Sequence, residues 1–270
     1  MPAYVSLYAG FAARGFRRHS TYRSATLAGI FTNTVFGVII SYTFIALWDA
    51  RPHLGGYGVA QALTFCWIAQ AMIMPVGLFG GSMVTEYSER VRTGAVVTDL
   101  LRPAPLLPVR LAEDLGRAAY HLVTRGVAPL LVGAVLFDLA WPSTVGTWLL
   151  FAVSVTLAVV IGFSLRYLLG LLAFWVIDTT GFASLLVLLQ VFCSGSMLPL
   201  VAFPGALRAV LETLPFRCLV QVPIDVLLRE DTGISVWPLL GLQVLWAAGL
   251  LGIGAALTRL AVRLVVVHGG

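Results

Sequence analysis

The stretch Ser24–Leu47, SATLAGIFTNTVFGVIISYTFIAL, carries no charged residue along its whole length. A helix needs about 20 predominantly apolar residues to cross a bilayer, because the hydrocarbon is about 30 Å thick and each residue advances about 1.5 Å. This run therefore reads as a membrane span. Five further runs follow the same pattern: Tyr57–Met83, His121–Leu139, Thr144–Leu165, Gly181–Leu198 and Val236–Leu257. The sequence predicts an all-α integral membrane protein with six transmembrane helices, in which a transmembrane domain over residues 24–270 follows an N-terminal segment, 1–23. In the third run Arg125 must snorkel and Pro129 interrupts the helix early. Just upstream, Leu111, Leu115, Ala118 and Leu122 recur at helical spacing among Arg110, Glu113, Asp114 and Arg117, which predicts an amphipathic lead-in continuous with the third span. Leu168–Ile177 either extends the fourth span or turns the chain into the fifth.

Composition agrees. The apolar fraction is 59% and only 11% of residues are charged, against about 25% in a soluble domain. Mean hydropathy is +0.95. All seventeen basic residues are Arg. Without Lys there is no GxxxxGK[ST] phosphate loop, so the chain is not a self-contained P-loop ATPase. Cys66, Cys193 and Cys218, with His19, His53, His121 and His268, show no CxxC or HxxxH spacing, so no metal site is expected. The net charge of +5 fits Arg-rich cytoplasmic loops and needs no nucleic-acid partner.

Charge also orients the chain. With the N-terminus placed in the cytoplasm, thirteen arginines fall inside and only Arg51, Arg208, Arg217 and Arg229 outside. The positive-inside rule then puts both termini and the Glu86–Pro103 loop in the cytoplasm. Residues 1–23 are not a secretory signal, because Arg14, Arg17, Arg18 and Arg23 follow the apolar stretch instead of preceding it. Val5, Leu7, Tyr8 and Phe11 beside those arginines predict an interfacial amphipathic helix on an anionic leaflet.

Two segments between spans stand out. The first is the cytoplasmic loop Glu86–Pro103, EYSERVRTGAVVTDLLRP. Gly94 suits a left-handed helix cap, and Pro103 stops any helix after Arg102. Ala95–Arg102 can make about two helical turns, with Val96, Val97, Leu100 and Leu101 on one face and Asp99 and Arg102 elsewhere. Such a helix either rests on lipid headgroups or is gripped by another protein. The second is the outer segment 194–235, which Pro199, Pro204, Pro215 and Pro223 divide into pieces too short to cross. It predicts a pair of short re-entrant helices dipping into the outer leaflet.

Catalytic chemistry is not evident. Cys193-Ser194-Gly195-Ser196 offers nucleophiles, but no His lies at the depth of that cluster to serve as base. Every Asp and Glu is expected in a loop or at a helix end, which argues against proton or sodium coupling and against a small hard cation as cargo. What the spans carry is packing chemistry. Gly29, Asn33, Gly37 and Ser41 form a small or polar stripe down one face of the first span. The stripe either packs within the chain or, with Gln70 and Gln190, faces a second subunit or a substrate path. Phe31, Phe36, Tyr42, Phe44, Trp67, Phe182 and Phe192 either contact lipid and core or suit an apolar or cationic amphiphile. Cys193 and Cys218 share the outer side, where they pair if the segment folds back or serve as small apolar packing.

The pattern Arg92-x-Gly94-x4-Asp99-Leu100-Leu101-Arg102-Pro103 resembles the cytoplasmic loop of type-2 ABC exporter permeases. Ser194-Gly195-Ser196-x2-Pro199-x3-Phe203-Pro204, then Leu214-Pro215-Phe216 and Pro223, resembles the paired re-entrant helices of that class. The N-terminal interfacial helix, Phe174-Trp175 and the Gly269-Gly270 pair suit its six-span subgroup without a fused ATPase. At the position of Ala95 the class often has Thr. The resemblance implies a permease subunit in a bacterial inner membrane, moving substrate outward with ATP hydrolysed by separate ATP-binding-cassette subunits. ATP and Mg would then be held by that partner, and this chain would bind no cofactor. The Ala95–Arg102 helix would be the coupling helix, with Arg92, Gly94, Val96, Val97, Asp99, Leu100, Leu101, Arg102 and Pro103 as its docking residues. A second permease, sister or identical, and membrane lipids would be the other partners. A membrane scaffold, an enzyme subunit or a channel are the competing readings.

Overall fold

The computed structural model describes residues 2–268 apart from 53, 80–81, 94, 96–103, 177, 230–232 and 234. Its elements run α1 (Pro2–Ser20), α2 (Arg23–Ala50), α3 (Val59–Met72), α4 (Ser82–Arg92), α5 (Leu106–His121), α6 (Ala128–Leu136), α7 (Val145–Leu171), α8 (Thr180–Cys193), α9 (Gly205–Thr213), α10 (Gln221–Leu227) and α11 (Val236–His268). Among the described residues the regular structure is wholly helical. Helices over Arg23–Ala50, Leu106–Leu136, Val145–Phe174 and Val236–Arg263 are long and apolar enough to cross a membrane, and α3 and α8 are shorter apolar helices.

The third span shows how local sequence sets shape. α5, a π-helical turn at Leu122–Val127 and α6 form one continuous helix, so the amphipathic lead-in does join the span. Pro129 has no N–H to give the carbonyl of Arg125, and the wider turn takes up the irregularity. The freed carbonyl accepts instead from Asn33 Nδ2 of α2 at 3.2 Å. Leu168–Phe174 extends the fourth span, with a 3-10 turn at Leu172–Phe174 after α7.

The helices in the second and fifth apolar runs, α3 and α8, are shorter than those runs. α3 gives way to turn structure after Met72. Gly77 N donates to Met74 O at 3.1 Å and Leu78 N to Ile73 O at 3.0 Å, with Gly77 at φ +73°. This is a Schellman cap, and the glycine supplies the left-handed residue it needs. α8 ends at Cys193, where Gly195 takes φ +83°.

Two helix pairs run parallel. α2 meets the third span through Thr26–Tyr120, Asn33–Arg125 and Tyr42–Phe137, with both numbers rising together. α7 meets α11 through Ser154–Gln243 and Tyr167–Thr258 in the same sense. The main core joins α3, α7, α10 and α11. Short α10 lies wholly inside it, with Val222, Ile224 and Val226 fully buried, so its frayed ends meet protein instead of lipid.

Candidate functional site

At the α1 end of the bundle the chain builds a joint of buried charge. Asp114 of α5 is 5% exposed and Arg166 of α7 is 4% exposed. Asp114 Oδ1 accepts from Arg117 Nε at 2.6 Å, and Oδ2 accepts from Arg117 Nη2 at 3.2 Å and from Arg166 Nη2 at 2.9 Å. The two guanidiniums also reach the end of α3. Arg117 donates to Met74 O at 2.8 Å and Pro75 O at 2.9 Å, and Arg166 donates to Val76 O. One carboxylate thus faces two cations, and the carbonyls at the negative end of α3 supply the remaining acceptors. The fit is close at two glycines. A Cβ on Gly77 would lie 2.0 Å from Arg166 Nη1, and one on Gly162 would lie 2.3 Å from Val76 O.

This corrects the expectation that every acid lies in a loop or at a helix end. Asp114 sits eight residues inside its helix, and Asp225 sits within buried α10 at 4% exposure. The signal for the first was Asp114-x-x-Arg117 on a lead-in with apolar periodicity, matched by a lone Arg166 in an apolar run. Sequence could not show that α7 brings Arg166 to the same carboxylate.

The joint lies where the loop segments gather. α4 packs against α7 and the Leu172–Phe174 turn. Ser88 Oγ lies 2.7 Å from Thr179 Oγ1 at the start of α8, and Arg18 of α1 pairs with Glu86 at 3.0 Å. α1 crosses α5 with their backbones in contact. A Cβ on Gly15 would lie 2.0 Å from Glu113 O, and one on Gly116 would lie 1.8 Å from Ala12 O. Phe16 packs edge-on to Tyr120 at 5.3 Å, and His19 to His121 at 5.2 Å. Burial holds the His19 imidazole below its ordinary pKa, and Arg117 and Arg18 act in the same direction. So α1 has an intramolecular partner along α5, besides the exposed Val5 and Leu7 that suit a lipid surface. Of the docking residues expected in the loop, Arg92 ends α4. Gly94, Val96, Val97, Asp99, Leu100, Leu101, Arg102 and Pro103 lie outside the described residues.

The stripe on α2 turns inward on its own chain. The Gly29 surface is covered by the Arg125 side chain, and Gly37 by the Trp67 ring, which also covers Gly133. Ser41 Oγ donates to Cys66 Sγ at 3.8 Å. Of the two readings of the stripe, these contacts are those of packing within the chain: its small residues admit the chain's own aromatic and Arg side chains. The opposite face, with Phe31, Phe36, Ile39 and Tyr42, is exposed. Gln70 is buried in α3 and Gln190 in α8. Among the described residues Gln190 Nε2 has no hydrogen-bond partner.

At the other end, Pro199 precedes a 3-10 turn, and Phe203-Pro204 leads into α9. Pro215 and Phe216 are buried at the start of a second 3-10 turn that leads to α10. Asp225 Oδ1 accepts from Tyr57 Oη at 2.9 Å and from Gln221 Nε2 at 2.7 Å, with Arg217 3.5 Å from Oδ2. Gln221 in turn accepts from Leu200 N at 3.0 Å and donates its own N–H to Ser194 O at 3.0 Å. One polar cluster therefore holds the outer segment together. Cys66, Cys193 and Cys218 are all free thiols. Among the described residues no three His, Cys, Asp or Glu gather as a metal site.

No curated protein matches the chain. Residues 34–266 match the family described as ABC-2 family transporter protein, a span that runs from within α2 to near the end of α11 and includes the charge joint, the loop and the outer segment. The chain is a membrane-spanning permease and belongs to the ABC-2 transporter family.

Proposed function

We propose that this chain is the membrane subunit of an ATP-driven exporter, worked by separate ATP-binding-cassette ATPases that grip the loop 86–103. The family is one whose permeases generally work with such ATPases. The observation that carries the reading is the convergence on one loop. α4 meets α1 through Arg18–Glu86 and the start of α8 through Ser88–Thr179, and it packs on α7, whose Arg166 enters the Asp114 joint; the chain then continues into a sequence with an apolar helical face.

The parallel pairs support six crossings. When α2 and the third span run in one direction, the chain must return between them, and α3 with its capped turn is the segment available. The same holds for α8 between α7 and α11. Arg counts then put both termini and the loop in the cytoplasm of a bacterial inner membrane. ATP and Mg belong to the ATPase, and a second permease, sister or identical, completes the pathway. In this reading α9 and α10 are the re-entrant pair on the outer side.

The test is purification of the membrane complex with the products of neighbouring genes, followed by an ATP hydrolysis assay. The reading predicts a co-purifying ATPase with vanadate-sensitive turnover. Absence of any such subunit contradicts it.

A further inference from the structure

We propose that Arg117 and Arg166, held on Asp114, are positioning residues that carry movement of the loop end of α3 into the third span and α7. The inference rests on the proposed action of an ATPase on the loop 86–103. It goes beyond that action by naming the side chains through which the membrane helices receive it.

α3 ends in a Schellman cap, and the next described helix, α4, begins at Ser82. The last carbonyls before that connection, at Met74, Pro75 and Val76, are all held by guanidiniums from other spans. Each Arg forks between α3 and the same carboxylate, so three helices share one set of hydrogen bonds. Charge-assisted bonds in a dry site are directional and costly to break. A displacement of residues 74–77 must therefore carry both guanidiniums with it, or leave carbonyls and guanidinium N–H groups buried without partners. Gly77 and Gly162 remove the slack, since a methyl group at either would overlap the joint. α4 adds a second route in the same sense, because it rests on α7 and meets α8 through Ser88–Thr179.

Arg166→Gln is the informative variant. It leaves Asp114 and Arg117 as a closed neutral pair, keeps a donor, and removes only the tie to α7. Gly77→Ala disturbs the same tie from the opposite side, because its Cβ would meet Nη1. Arg166→Lys rescues only in part, since a point charge cannot fork between Val76 O and Asp114 Oδ2.

The experiment is hydrogen–deuterium exchange on the intact permease–ATPase complex in lipid nanodiscs, with and without Mg-ATP and vanadate. In the unmodified complex, segments 73–78, 112–120 and 163–168 should change protection together with segment 82–92. Arg166→Gln should keep the response at 82–92 and lose it at 163–168. A purely structural role would instead lower protection everywhere and leave the nucleotide response proportionate. The inference is overturned if the unmodified complex responds at 82–92 while the joint segments stay unchanged. It is equally overturned if Arg166→Gln responds like the unmodified protein. Should the variants fail to assemble, the unmodified comparison alone decides. If no ATPase is present to drive any response, the function proposed above fails first and this inference with it.

Discussion

Asp114→Asn keeps the shape of the side chain and removes one charge, leaving Arg117 and Arg166 facing each other across an amide. The structure sets the magnitude. Asp114 accepts three guanidinium hydrogen bonds between 2.6 and 3.2 Å and is nearly inaccessible. Breaking a buried ion pair by removing one partner costs about 3–5 kcal/mol. Near the size of this chain each kcal/mol lowers Tm by about 2–4 °C, so the expected loss is roughly 6–20 °C. Glu86→Gln is the internal control. It removes a pair whose side chains are 62% and 35% exposed, a kind worth about 0–1 kcal/mol. Arg166→Met added to Asp114→Asn should recover part of the loss, because one unpaired cation leaves with its partner. The assay is thermal unfolding of the purified protein in detergent, with intrinsic Trp fluorescence as probe. If Asp114→Asn costs no more than Glu86→Gln, the buried joint is not formed as described.

Two further outcomes are expected at the α1 end. Gly116→Val should force α1 off α5, since even a Cβ there falls 1.8 Å from Ala12 O; overpacking of this kind costs about 1–3 kcal/mol, and trypsin should then cut at Arg17 and Arg18 many times faster than in the unmodified protein. The depressed His19 pKa means the folded state holds a proton there less readily than the unfolded chain. That contribution is full above about pH 6.5 and declines as pH falls. Amide exchange in α1, corrected for intrinsic rates, should therefore accelerate between about pH 7.5 and about pH 5.5, and less so in His19→Asn.

Much of this architecture is legible in the residues. Four of the six apolar runs locate helices long enough to cross, because membrane span length is fixed by bilayer thickness and backbone hydrogen bonding. The lead-in to the third span is visible from Leu111, Leu115, Ala118 and Leu122. Helix ends are less so. α3 stops short of Met83 because of Gly77 and the guanidiniums that take its last carbonyls, and the second of those causes is tertiary. The charge joint escapes a reading by loops for the same reason. Asp114 looks like the polar face of an amphipathic helix until α7 brings Arg166 against it. The stripe at Gly29, Asn33, Gly37 and Ser41 was visible as a close-packing face, but its partner was not. Only the fold shows that Trp67 and Arg125 of the same chain fill it.

The central claim, that an ATPase works this permease through the loop 86–103, is tested most directly by Leu100→Asp/Leu101→Asp. Two carboxylates in a dry protein contact cost on the order of 3–5 kcal/mol, enough to release a docked subunit. Both residues lie outside every expected span, so membrane insertion should persist. The measurement is the amount of ATPase that co-purifies with the permease at matched membrane expression. It should fall to background in the double variant while the permease remains in the membrane. An unchanged yield of ATPase would contradict it and leave the loop helix as a segment resting on lipid.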